Sequence, residues 1–547
     1  MRGFLACCLL FTFSLANAHV GSPGVVYQGV AGPYRILVNV QPPDVIPGTA
    51  QLSVFVEGAG VRRVTVQPIH WVAGDEGAPS PDEIQAVAGQ PGHYQGLVWL
   101  MWRGSSSVRI AVEGAAGRGT ASIPVLAAVT AQREMPAQLG WILAGLGALL
   151  LALMVTTVGA SVSDGTLKPG EALTPALRRK RLVAMGVTTL LCGLILYGGS
   201  AWWNGWADDY RRFMYRPITA TARVDAPDAQ RVLTLRMDTA SVGDQRLSYL
   251  VADHGKLMHL FLVRQGTLDV FAHLHPVRKD TVTFQVALPN VPAGRYLVYA
   301  DVVFRNGFPV TITDTVDISV PNVSVALASF NPAGLRRDTE DTYVVTNPLA
   351  SGQPLLADSN AVLCGSPGIR TRLSDGSLIT WEQSPGGALQ AGKVYPLTFR
   401  VQTAAGQPAA LEPYLGMMGH AAVLRDDGRV FIHLHPVGTY SMAQQQFMES
   451  RIAAEGAAPA APDTQVFRDS VDQVLSRLAA MNETDRNALL MPAMNHAPAS
   501  ADPLHAGHEA STVAFPYAFP EPGDYRIWVQ IKREGKILTG AFDAKVR

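Results

Sequence analysis

Two long stretches, Leu139 to Ala160 and Leu182 to Trp203, contain no charged residue. A helix that crosses a bilayer needs about 20 apolar residues, so the sequence predicts transmembrane helices over 139–160 and 182–203. Trp141 marks one end of the first, and Trp202, Trp203 and Trp206 mark the end of the second, as aromatic residues do at membrane–water interfaces. The intervening loop, 161–181, carries Arg178-Arg179-Lys180-Arg181. Positive loops stay in the cytoplasm, which places both flanking regions outside. Residues 1–18 read as a secretory signal: Arg2, an apolar run from Phe4 to Leu15, then Ala16-Asn17-Ala18 as cleavage site. Two separate signals thus predict one topology, a two-pass protein of a bacterial inner membrane with both large regions periplasmic or extracellular.

Only 16% of residues are charged, which suits a chain partly in lipid, and Lys+Arg equal Asp+Glu at 44 each. No global field attracts nucleic acid, and the partner read from composition is the lipid bilayer. Cys7 and Cys8 leave with the signal peptide, Cys192 falls in an apolar stretch, and Cys364 stands alone. No disulfide framework or thiolate cluster follows. The helix pair has no internal charge and no polar pathway, which argues against transport through it.

Outside the helices the patterning is that of strands. Residues 19–130 contain Arg35-Ile-Leu-Val-Asn-Val, Gln51-Leu-Ser-Val-Phe-Val and Ser107-Val-Arg-Ile-Ala-Val between Pro/Gly turns, consistent with a β-sandwich. After the second helix the chain repeats itself. Leu233-Thr-Leu-Arg-Met-Asp-Thr-Ala240 resembles Leu397-Thr-Phe-Arg-Val-Gln-Thr-Ala404, and Ala293-Gly-Arg-Tyr-Leu-Val-Tyr matches Pro522-Gly-Asp-Tyr-Arg-Ile-Trp. The fold class expected is mainly β: three immunoglobulin- or cupredoxin-like sandwiches plus two transmembrane helices. The repeats are placed at 217–322 and 391–547, with 323–390 as a connecting subdomain. An insertion over 438–510 interrupts the second repeat, and apolar spacing predicts a helix from Gln465 to Met481.

Within each repeat a histidine precedes the sequence His-Leu-His-Pro. The sets are His259, His273, His275 and His420, His433, His435. Residues two apart on a strand share a face. Centring the first hairpin on Gly266 sets His259 opposite His273, and centring the second between Asp426 and Asp427 sets His420 opposite His433. A bulged Asp427-Gly428 turn would shift that register by one and turn His420 away. Three converging imidazoles suffice for copper or zinc with an open position. Met258, Met417 and Met418 stand nearby, and thioether with imidazole favours copper. His254 is a further candidate in the first copy only, and Asp301 corresponds to Gln530 in the second. His19, if it becomes the N-terminus, offers its amine and ring as a chelating pair, with His70 or His93 as a third nitrogen. Met491, Met494, His496, His505 and His508 lie in an Ala/Pro-rich stretch that reads as a linker. The plainer reading of every His-x-His strand is a hydrogen-bonded structural element, copied with its domain.

The run from Gly419 to Pro436 and the Pro-Gly-x-Tyr-x-x-Trp/Tyr strand resemble YtkA-like domains, which are exported β-sandwiches. The start at His19-Val-Gly-Ser-Pro, with Gly92-His-Tyr-Gln-Gly and Gly117-Arg-Gly-Thr-Ala, is similar to the YtkA-like and CopC-like class. The resemblance implies an immunoglobulin- or cupredoxin-like fold and periplasmic copper handling. The acidic/histidine ligand pair that follows the first histidine in CopC-like proteins has no match here.

The sequence therefore predicts a membrane-anchored protein, not an enzyme, that binds copper (zinc as the alternative) by ligand exchange at two open three-histidine sites. A periplasmic copper protein or a membrane complex is its expected partner. The competing reading is an adaptor whose sandwiches bind another protein and whose histidines are structural. An oxidoreductase is weaker, because no carboxylate–histidine set repeats in both copies.

Overall fold

The computed structural model describes residues 24–58, 60–225, 231–243, 245–319, 337–349, 369–382, 388–454, 456, 458–490 and 511–547. They fall into two units, one of residues 128–215 and one holding everything else. The protein is mainly β, with six antiparallel sheets arranged as successive sandwiches, two apolar helices and a helical insertion.

The smaller unit contains the helices Ala137–Ser161 and Pro175–Arg212, both long and apolar enough to cross a membrane. The second is longer than expected. Thr174 caps it by accepting from the Leu177 N–H at 3.3 Å, and a proline opens its first turn. Arg178 to Arg181 are therefore helical and do not form part of a loop.

In the larger unit, residues 25–127 form a five-stranded and a four-stranded sheet. The predicted strands appear as Tyr34–Gln41, Gly48–Glu57 and Gly104–Gly114, with alternate side chains buried in the first two.

In the first repeat, Ala220–Asp225, Val232–Met237, Thr283–Ala287 and Val277–Arg278 make one sheet. The other is ordered Leu250–Val251, Gly294–Phe304, His259–Arg264, Val270–Leu274 and Thr342–Val345, with Pro309–Ile318 also paired to Gly294–Phe304. The second repeat stacks Arg370–Arg372, Leu378–Trp381, Val394–Gln402 and Thr512–Ala518 on a sheet of Phe431–Leu434, His420–Arg425, Gly523–Arg533 and Lys536–Val546. The connecting subdomain expected over 323–390 is thereby corrected. Its described strands complete the sheets on either side, Thr342–Val345 joining the first repeat and two others the second. Its weak patterning reflects short strands, whose period cannot be read over so few positions.

The strands of the histidine hairpins are buried on both faces, which explains their near-continuous apolar runs. Leu260, Leu262, Val270, Ala272 and Leu274 point into the core of the first sandwich. Ala421, Val423, Ile432 and Leu434 do the same in the second. The opposite faces meet each other: Phe261, Val263 and Phe271 pack with Ala422, Leu424, Phe431 and Trp528 in a core shared by the repeats. Phe271 stacks on Trp528 with centroids 4.7 Å apart, and Tyr299 on Phe431 at 4.2 Å. The histidines lie on this shared face.

The insertion forms three helices, Met442–Ala453, Thr464–Ala480 and Glu483–Leu490. The middle one matches the predicted segment to within a residue. It reaches back to the first repeat, where Arg278 pairs with Asp472 at 2.6 Å and Val471 and Leu475 pack on the sandwich core.

Candidate metal centre

Hairpin register decides where the rings meet. Phe261 pairs with His273 and Leu260 with Leu274, so His259 lies level with His275. In the second repeat Ala422 pairs with His433 and Ala421 with Leu434, which sets His420 level with His435. Each hairpin is offset by two positions from the expected pairing. An offset of two preserves the face, so all three rings of each repeat still converge, and the bulged turn that would have turned His420 away does not occur. His259 Nδ1 lies 3.1 Å from His273 Nε2, and His420 Nδ1 lies 3.1 Å from His433 Nε2. Two nitrogens that both bind an ion at about 2.0–2.1 Å, with this separation, subtend about 100°, close to a tetrahedral angle.

The second nitrogen of each ring is held by a matching partner. His259 Nε2 donates to the Asp253 carbonyl at 3.2 Å, and His420 Nε2 to the Tyr414 carbonyl at 3.1 Å. Those bonds leave Nδ1 as the lone-pair nitrogen of each neutral ring, directed at the other histidine. His275 Nδ1 is bonded to Asp341 Oδ1 at 3.0 Å and His435 Nδ1 donates to the Tyr440 carbonyl at 2.8 Å. Their Nε2 atoms, and that of His254, have no hydrogen-bond partner among the described residues. A buried imidazole with one nitrogen fixed by an oxygen and the other unpartnered is the arrangement of a metal-binding histidine.

The repeats brace each other's rings. His259 is paired across the sheet with Asp301, and His420 with Gln530. Each of these residues faces the other repeat's site. Gln530 Oε1 lies 2.9 Å from His273 Nδ1, and Asp301 Oδ2 lies 3.6 Å from His433 Nδ1. Matching the two copies in sequence pairs Asp301 with Gln530 but does not show that each serves the opposite copy.

His254 is the larger surprise. It groups with His420 and His435, while His259, His273 and His275 form the other group. In each group one nitrogen per ring lies within 4.8 Å of the others. Its expected place beside the first copy's rings is corrected: the turn that carries it projects the side chain across the interface.

The methionines do not join them. Met258 sits in the core of the first sandwich and Met418 packs against that of the second. Met258 precedes His259 on an extended segment, so the two side chains take opposite faces. His93 is bonded to Ser53 at 2.8 Å and Gln90 at 2.7 Å, and His70 Nε2 lies 3.1 Å from the Arg103 carbonyl. Neither has a free ring nitrogen for His19, which lies outside the described residues, as do Met491 to His508.

Burial governs the electrostatics. It lowers His254 and His435 to about 4, and it holds His259, His273, His420 and His433 well below the ordinary imidazole range, with neighbouring rings adding to the effect. Burial pushes Asp301 up to about 7 against the hydrogen bond from Thr311. The rings are accordingly neutral at physiological pH, the state that binds metal.

The chamber is also covered. His254 and Leu415 occupy equivalent left-handed positions, each followed by a glycine, Gly255 with φ 78° and Gly416 with φ 74°. Leu490, which ends the last insertion helix, rests on both glycines: a methyl group on Gly416 would lie 3.0 Å from its Cβ, and one on Gly255 3.5 Å from its Cδ1. Arg486 of that helix bonds Glu340 at 3.0 Å, and Glu483 pairs with Lys532. The residues that sequence reasoning missed are Asp253, Tyr414 and Tyr440, which act through carbonyls, and Asp341. The shared spacing of Gly255 and Gly416 before His259 and His420 was the available signal for the first two.

The model of a family described as a domain of unknown function (DUF8832) matches residues 372–462 and 476–547, the second repeat with most of its insertion. No curated protein matches the chain. Among solved structures, a chimeric titin Z1Z2 bearing a decorin peptide aligns over 55% of this chain and 99% of its own, at 11% identity and a TM-score of 0.12. A Salmonella alpha-2-macroglobulin mutant aligns over 99% of this chain and 24% of its own, at 10% identity and a TM-score of 0.18. Dimeric latent PorU from Porphyromonas gingivalis aligns over 96% and 34%, at 9% identity and a TM-score of 0.13. Similarity at this level carries no argument about function.

Proposed function

We propose that this protein is a membrane-anchored metal-binding protein whose histidines, at the junction of two repeated sandwiches, hold transition-metal ions, with copper first. The observation that carries the reading is the set of unpartnered, buried Nε2 atoms on His254, His275 and His435 beside two His–His pairs at 3.1 Å. Left metal-free, each such nitrogen is a desolvated acceptor that destabilises the fold by about 1–3 kcal/mol. With Met258 and Met418 packed in the cores, the ligands are all imidazole, and the preference for copper over zinc rests on the affinity order of divalent ions. The rings are buried, which favours retention of an ion over rapid exchange at open sites. The signal-like N-terminus and the charge of residues 178–181 support a periplasmic setting for both large regions.

A second reading has its own support. Phe55, Leu97, Trp99, Met101 and Trp102 are all exposed on the N-terminal sandwich, a patch suited to a protein partner. An adaptor of this kind would use the histidines as structural braces. Copper titration of the full chain in detergent separates the two readings. Tight binding that is lost in a His273→Ala/His275→Ala/His433→Ala/His435→Ala variant supports metal handling. A wild-type protein that binds neither copper nor zinc sinks it.

A further inference from the structure

The two histidine groups are not two copies of one site. Asp253-His254-Gly255 stands before His259 with the spacing of Tyr414-Leu415-Gly416 before His420, and His254 and Leu415 have φ of 52° and 51°. The turn is therefore common to both repeats, and the histidine is not what it requires. What His254 adds is a ring aimed at the other repeat. Its centroid lies 5.1 Å from His420 and 4.9 Å from His435, against 6.1 Å from His259 of its own repeat. Leucine at 415 returns no ring to the first group. The second group is thus built from both repeats, and the first from one.

The groups also adjoin. His433, whose Nε2 lies 3.1 Å from His420 Nδ1 of the second group, has its ring centroid 5.4 Å from that of His259 and 5.6 Å from that of His273 of the first. Those spacings scarcely exceed the 5.2 and 5.3 Å found within the first group. Phe261 is in contact with both sides, stacked on His273 at 4.3 Å and edge-on to His433 at 4.9 Å. No backbone passes between ring pairs at such distances.

We propose that the chamber holds two divalent first-row transition-metal ions as one coupled pair, and that His254 is the ligand that makes the second ion's site shared between the repeats. This rests on the metal-binding reading above. Neighbouring ions with contiguous imidazole shells sense each other's spin and charge, and the composite site clasps the two sandwiches together whenever it is filled.

The test uses the full chain in detergent, loaded with Cu(II), with bound copper measured by elemental analysis and unpaired spins by electron paramagnetic resonance. The expected result is two copper ions per chain, one for each group, with dipolar line broadening and a half-field transition. His254→Leu, which copies the residue at 415, should retain one ion and show its full single spin. Leu415→His should keep both ions. Near-UV circular dichroism checks folding, and His254→Asn replaces the leucine variant if that one is not native. Two bound ions with the spectrum of isolated centres, lacking both the broadening and the half-field transition, overturn the pair while leaving metal binding intact. Retention of both ions in a folded His254 variant removes that residue from the site. Absence of bound copper in the wild type overturns the metal reading itself.

Discussion

Trp528 offers a quantitative test of how the repeats are held together. Its side chain is fully buried at the inter-repeat core, stacked on Phe271 at an interplanar angle of 14°, and flanked in register by Ala422 and Ala541. Truncating a buried tryptophan to alanine costs about 3–5 kcal/mol. Here the indole Nε1 has no hydrogen-bond partner among the described residues, and an unsatisfied buried donor already weakens the fold by about 1–3 kcal/mol. Trp528→Ala removes that penalty together with the packing, leaving a net loss of about 2 kcal/mol. Trp528→Phe keeps the stack, drops the orphan N–H, and should fall within about 1 kcal/mol of wild type. Thermal unfolding in detergent, followed by near-UV circular dichroism, would show Tm lower by roughly 4–8 °C for the alanine variant and little changed for phenylalanine. Equal damage from both would refute the reasoning, because it would mean that the N–H is bonded and that the stack is not the main contribution.

Further outcomes follow from the same site. In metal-free protein, His254 and His435 fall to about 4 from 6.5, so the unfolded chain takes up protons first as pH drops. The contribution of these two rings is then complete above about pH 6.5 and is lost towards pH 4 by about 3 kcal/mol per ring. Asp301, raised to about 7, acts in the opposite sense, and Asp301→Asn should steepen the acid loss; urea midpoints of Asp301→Asn that stay flat across this range would contradict the first statement, and a slope no steeper than wild type the second. Saturating metal should raise Tm, with a chelator reversing the gain, and no shift with either copper or zinc would count against binding. Gly416→Ala places a methyl group 3.0 Å from Leu490 Cβ in a left-handed position. It should loosen the cover and speed metal release to a chelator, whereas an unchanged release rate would show that the last insertion helix does not seal the chamber.

Much of this architecture could be read from residues alone. The uncharged runs from Leu139 to Ala160 and from Leu182 to Trp203 marked both apolar helices, because nothing else in a chain of this kind keeps charge out for so long. The duplicated strands and histidine spacing revealed the repeats, and period-two alternation revealed the converging faces even where the registers were two positions off. What could not be read was the packing of one repeat on the other. Met258 is adjacent to a histidine in sequence yet faces a different core, and His254 belongs to the group whose other members, His420 and His435, lie in the far repeat. Asp301 and Gln530 likewise brace rings across the interface. Such pairings depend on how two finished sheets stack, for which strand periodicity carries no signal. Residues 323–390 were misread for a different reason, since strands of three or four residues take their order from the sheet they join.

The shared face has a consequence for synthesis. Its first half is complete only at Val345, where the last described strand joins the first repeat's sheet, and its second only at Ala541, more than a third of the chain later. At about 5–20 residues per second the interval lasts roughly 10–40 s. Throughout it Phe261, Phe271 and three imidazoles of a finished first sandwich wait without the surface that will cover them. A newborn chain is then adhesive and, on the proposed metal-binding reading, an open chelator, so its yield in cells ought to depend on metal supply and on whichever chaperone meets it during those seconds.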